Sequence, residues 1–127
     1  VYNYGDSLGW KFLNVPIVLG LNWWLLVYTS IHIAARIHKT LVIRILLAPA
    51  LMLGLDFLIE PLCGILDFWY WQDSSVPIQN YISWYVIALI LIAPYFLMVK
   101  KIQTNTIAIA AFTIQALFFI SLNILLK

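Results

Sequence analysis

Charge is scarce in this sequence, and so are the side chains that hold metals. Only 9% of the 127 residues are charged, against about 25% in soluble domains. The single Cys cannot form an internal disulfide. Together with only two His it leaves too few soft ligands for a metal cluster. Seven Lys and Arg against five Asp and Glu give a net charge of +2, so there is no basic footprint and no nucleic-acid partner is expected. There is no phosphate-cradling Gly loop, no G-x-S-x-G and no internal repeat. Low-complexity runs are absent and aromatics reach 16%, which excludes disorder. What is abundant is apolar side chain, at 65% with a mean hydropathy of +1.00. A globule this small has too much surface to hide that much from water, so its solvent is lipid. The chain opens at Val1 without Met, a basic n-region or a small-residue cleavage site. It therefore reads as a processed or truncated piece, with no signal peptide expected.

A bilayer core of about 30 Å takes about 20 apolar residues per helix. Four stretches qualify: Pro16 to Ile37, Leu41 to Glu60, Asn80 to Val99 and Thr104 to Leu126. Continuous apolar runs without two-residue alternation argue against a barrel. The expected fold is an all-α polytopic membrane bundle, one transmembrane domain over 1–127, with strand content close to nil. Two short links, 38–40 and 100–103, fall at one end, and the long link 61–79 falls at the other with the segment 1–15. Arg36, Lys39, Arg44, Lys100 and Lys101 cluster at the short-link end, against Lys11 and Lys127 opposite. The positive-inside rule then puts the Lys39 and Lys101 ends in the cytoplasm.

All five acidic residues lie on the outer half. Asp6 and Asp73 read as solvated. Asp56 and Glu60 stand within LGLDFLIEPL, four residues apart and thus on one helix face. If the helix continued past Pro61, positions 56, 60, 63 and 67 would lie at about 0°, 40°, 340° and 20°, adding Cys63 and Asp67 to the stripe. A carboxyl facing lipid is expensive, so the stripe should look inward. Carboxylic acids withdrawn from water hold their proton more readily, and a held proton is what a general acid needs. Asp56, Glu60 and Asp67 are the candidate catalytic residues; the alternative is that they cap backbone groups or bind a facing Arg. Trp69, Trp71 and Trp84 flank them and suit a box around a cation, with Trp23 of the first span as a further candidate. Tyr70, Trp24 and Tyr85 read as an interfacial aromatic belt. Asn80 and Asn22 can orient a water or bond across helices. His32 is expected to bond a backbone carbonyl or a facing helix, and His38 to sit at the interface. Ala108, Ala111, Gln115 and Asn123 read as helix-packing contacts.

The stretch LGLDFLIEPLCGILDFWYWQ followed by VPIQNYISWY resembles the integral-membrane carotenoid biosynthesis proteins whose known members are carotenoid 1,2-hydratases, of the bisanhydrobacterioruberin and γ-carotene 1′,2′-hydratase types. The resemblance rests on Asp56, Glu60, Pro61, Trp69, Trp71, Val76, Pro77, Asn80 and Trp84, and on the opening YNYGDSLGWKFLNVPIVLGLNW. Ser83 stands where that family usually has Gly before the closing Trp. Family members also carry further spans ahead of this point.

The resemblance implies a bacterial or archaeal cytoplasmic-membrane enzyme that binds a carotenoid or other long isoprenoid lipid. It would add water to the terminal C1,C2 double bond of an acyclic ψ-end group to give a tertiary alcohol. A protonated carboxyl would deliver its proton to C2, aromatic faces would shelter the cation at C1, and water would capture it. That reaction needs no cofactor. Membrane di-iron hydroxylation would need many more His than two. Two other readings stay open: an accessory subunit held to other membrane subunits by its polar stripe, or a proton-coupled transporter fragment in which Asp56 and Glu60 relay protons.

Overall fold

In hydrocarbon every backbone N–H and C=O must be satisfied within the chain, and a helix does this segment by segment. The computed structural model describes residues 2–71, 77–99, 101–102 and 105–126; Asp73, Val76, Lys100 and Lys127 lie outside them. Among the described residues four helices form: α1 (Ile17–Ile37), α2 (Leu41–Ile59), α3 (Ile78–Met98) and α4 (Thr106–Leu125). Each is long and apolar enough to cross a membrane, and the chain is an integral membrane protein. Burial is inverted relative to a soluble domain. Ile90, Ile107 and Ile124 are exposed, whereas Thr29, Ser30, His32, Asp56 and Glu60 are buried, which is the arrangement lipid demands.

Helix α2 is central and packs against the other three, and α1 also packs on α4. Ala34, Ala48 and Ala88 are fully buried, small enough to let helix backbones approach. Polar side chains tie the bundle where no hydrophobic force separates protein from lipid. Gln115 donates to Asn22 Oδ1 at 3.0 Å, joining α4 to α1, and Asn123 donates to the Leu58 carbonyl at 2.8 Å, joining α4 to α2. Tyr85 donates to the Leu46 carbonyl at 2.9 Å, beside the Ile45 carbonyl that Pro49 leaves without its helical donor.

At the short-link end, Arg44 donates to the carbonyls of His38 and Ala35, a cation on the negative end of α1. Asn105 caps α4 by accepting from Ile107 N–H at 2.9 Å, while its own N–H donates to His32 Nδ1 at 3.2 Å. His32 thus bonds the facing helix through its backbone N–H rather than a carbonyl.

The outer end departs from the expected loops. Strands β1 (Tyr2–Tyr4) and β4 (Trp69–Trp71) pair antiparallel, with Tyr4 opposite Trp69. Strands β2 (Lys11–Phe12) and β3 (Val15–Pro16) form a hairpin. Leu13 and Asn14 make its turn with φ of 52° and 66°, as a two-residue turn between twisted strands requires. Aromatic residues favour extended backbone, and the first pair is closed by a partner more than sixty residues away.

Candidate functional site

The site begins where α2 ends. After Ile59 the chain tightens into a 3₁₀ turn over Glu60–Leu62; Pro61 fits there because a first-turn residue has no use for an N–H. The turn keeps Cys63 beside Glu60 but does not carry the stripe to Asp67. The chain bends through 63–68, and Asp67 takes a left-handed φ of 58°. The expected four-residue stripe therefore holds for Asp56, Glu60 and Cys63 and breaks at Asp67.

Glu60 is the hub. Its Oε2 accepts from the indole N–H of Trp69 at 3.2 Å and of Trp71 at 2.9 Å, with Cys63 Sγ at 3.8 Å. Two tryptophans reach one oxygen because residues two apart on a strand share a face, and β4 presents that face to the end of α2. Asn80, in the first turn of α3, donates through one amide nitrogen to Glu60 Oε1 at 3.1 Å and to Asp56 Oδ2 at 3.2 Å. The two carboxyls are thus joined through one amide. Asp56 is fully buried and Glu60 is 5% exposed. Asp56 Oδ1 is buried and accepts no hydrogen bond from the described residues.

A cavity of about 740 Å³ opens beside this unit, between α1 and α3 under the β1–β4 ladder. Glu60, Asn80, Trp69, Trp71, Trp23 and Trp84 line it, together with Tyr4, Leu19, Gly20 and Ile87. Trp23 and Trp84 meet across the α1–α3 gap with ring centroids 4.5 Å apart. A second cavity of about 430 Å³ shares Glu60, Trp69 and Trp71 with the first and is otherwise walled by Phe57, Pro61, Cys63, Gly64, Tyr70 and Tyr81. Among the described residues no group of three His, Cys, Asp or Glu is placed to hold a metal ion.

Of the nine residues singled out in the sequence, seven come together: Asp56, Glu60, Trp69, Trp71, Asn80, Trp84 and Trp23. Two do not. Asn22 turns to Gln115 on α4, about 100° around α1 from its neighbour Trp23. Asp67 lines neither cavity. Its Oδ2 accepts the backbone N–H of Asp6 at 3.0 Å and of Ser7 at 3.3 Å, and its Oδ1 accepts the Tyr70 hydroxyl at 2.5 Å. The Tyr70 hydroxyl, then the Asp6 N–H, hold the Asp67 carboxyl below the usual carboxylate range. The same bond pushes the Tyr70 hydroxyl up. Gly5 makes this docking possible, since a Cβ there would run into the Asp67 carbonyl and carboxyl. Tyr4 was not singled out as a site residue, although the Tyr-x-Tyr opening carried that signal; it reaches the cavity because β1 pairs with β4.

No curated protein and no solved structure matches the chain. A family profile described as "Carotenoid biosynthesis protein" matches residues 1–127. A membrane bundle whose inward carboxyls adjoin an aromatic, largely apolar cavity is suited to a long isoprenoid, and with that match over its whole length the chain belongs to the carotenoid biosynthesis protein family.

Proposed function

We propose that the chain catalyses acid-driven hydration of the terminal C1,C2 double bond of an acyclic carotenoid end group. The observation that supports this best is the placement of Glu60. One carboxyl, cradled by N–H donors, stands in the wall of a cavity otherwise made largely of rings and aliphatic carbon.

In this reading Glu60 Oε1 carries the proton. The O–H bond breaks as the C2–H bond forms, leaving a tertiary cation at C1. Hydrogen bonds to an ionised acceptor are stronger than those to a neutral one. The indole N–H groups of Trp69 and Trp71 therefore stabilise the charge that appears on Glu60 as its proton leaves, which is where a catalyst gains most. The ring faces of Trp23 and Trp84 shelter the cation, a contact worth about 0.5–2 kcal/mol. Water then bonds to C1 and gives its surplus proton back to Glu60. The sum is one water added, with no electron transferred and no cofactor required. Asp56 shares the Asn80 amide with Glu60 and stands behind it, in the wall of neither cavity, so it is a positioning residue that fixes Asn80 and the orientation of Oε1.

Expression in a lycopene-producing host tests this reading, with mass analysis of the pigments. A gain of one water per modified end group is expected. Pigments unchanged from a host lacking the chain would overturn the proposal.

A further inference from the structure

The two cavities meet at one side chain. Glu60, with Trp69 and Trp71 bonded to its Oε2, is in the wall of both, and none of the other lining residues is shared. Their depth differs. The larger cavity starts at the outer end beside Val15, Pro77 and Gln79 and runs down between the membrane-spanning faces of α1 and α3, past Leu19, Trp84 and Ile87. The smaller one stays at the outer ends of α2 and α3, between Phe57 and Tyr81 and the exposed Gly64 and Tyr70, with the Cys63 thiol and the Tyr70 hydroxyl in or beside its wall. Tyr70 is tied to the loop carboxylate Asp67. Hydration consumes one water per hydroxyl formed, and a cavity filled by hydrocarbon leaves no place to hold it.

We propose that the smaller cavity is a water-binding chamber that feeds Glu60 from the outer aqueous face, while the larger cavity takes the hydrocarbon. This rests on the hydratase reading above. One water leaves the chamber along the Glu60 carboxyl in each turnover. Its oxygen bonds to C1, one of its O–H bonds breaks, and that proton restores the Glu60 acid. The pair Trp69 and Trp71 is the partition that keeps the polyene out of the chamber.

Two glycines allow each compartment to be filled without touching Glu60. A Cβ at Gly20, in the larger cavity, meets no heavy atom within 4 Å, and one at Gly64, in the smaller, meets only Tyr70 Cε1 at 4.0 Å. Neither has a positive φ. The variants Gly64→Ala, Gly64→Leu and Gly64→Phe should lower kcat progressively, by about tenfold or more at Phe, with retained lycopene within about twofold of the parent chain. Gly20→Phe should instead cut lycopene retention. Water access is read independently of turnover at Cys63, the only cysteine. Burial, then the Glu60 carboxyl beside it, push its thiol up to about 11, so membranes are labelled at pH ~9 with a charged, water-soluble methanethiosulfonate. Cys63 should be labelled in the parent chain and in Gly20→Phe, and about tenfold more slowly in Gly64→Phe. Absence of Cys63 labelling in the parent would overturn the chamber even if no pigment were hydrated. So would hydration at parental kcat in Gly64→Phe. A parent chain that labels at Cys63 but hydrates nothing would overturn the hydratase reading and leave the chamber standing as a water site.

Discussion

Glu60 and Asp67 are seven residues apart, and each collects several donors, yet they sit in different worlds. Asp67 lies in the outer loop, takes two backbone N–H groups and a phenol, and uses them to fasten the N-terminal segment to the turn after α2. Glu60 lies at the membrane end of α2, takes two indoles and an amide, and has a cavity on either side. The number of hydrogen bonds does not separate a structural carboxylate from a reactive one. What separates them is where the unsatisfied space is: Asp67 is taken up by the N-terminal segment and Tyr70, and Glu60 looks onto room for another molecule.

The comparison breaks most sharply under substitution of the carboxyls. Glu60→Gln keeps the shape but removes the acid, and should lower hydration by about 10²–10⁴-fold with the protein still in the membrane. Asp56→Asn should fall in the same range, because it disturbs the amide that orients Glu60. Asp67→Asn should leave turnover near the parent value, measured in the same membranes. Equal losses at Glu60 and Asp67 would erase the distinction.

A smaller effect isolates the cradle. Trp71→Phe keeps a ring in the wall and removes one N–H from Glu60 Oε2. A hydrogen bond to a charged group is worth about 1.5–3 kcal/mol, so kcat should fall by about 10- to 150-fold, with pigment retention little changed. Trp24→Phe, on the lipid-exposed side of α1, serves as the control.

The smallest effect belongs to the loop. Asp67 has a carboxyl pKa lowered in the folded chain, first by Tyr70 and then by the Asp6 N–H. A lowered folded value means that the contribution is fully present above the unfolded value of about 3.9 and is lost as pH falls through the folded value beneath it. Protease protection of residues 2–12 should therefore be flat from neutral pH down to about 4 and should drop below that. Asp67→Asn should remove the pH dependence. Cysteine labelling at positions 39 and 101 should report the same side of the membrane, since α1 and α4 are joined there through His32 and Asn105. Opposite sides would contradict the bundle.

The helices were legible because each rests on a run of about 20 apolar residues, a signal that tertiary context has little power to override. Their starts shifted by only two residues where Ile78 and Thr106 begin α3 and α4. The short strands were not legible. Three residues carry no period to read, and β4 exists because β1 arrives from the other end of the sequence. The same fact hid the way Trp69 and Trp71 act. Their place near the carboxyls followed from sequence distance, but the aiming of both N–H groups at one oxygen needs the strand. Extending the helical stripe to Asp67 failed because Pro61 and the 3₁₀ turn end the 100° step. Asn22 was drawn away by Gln115, a partner on another helix that no local spacing announces.

Hydration in deuterated water tests the central claim most directly. Membranes holding the chain and lycopene would be incubated in heavy water, and the product read for deuterium bound to carbon. If Glu60 delivers a solvent-exchangeable proton to C2, each new tertiary hydroxyl should be accompanied by one carbon-bound deuterium, and Glu60→Gln should yield neither. A hydroxylated product with no carbon-bound deuterium would mean that oxygen entered by another route, and would contradict the role given to Glu60.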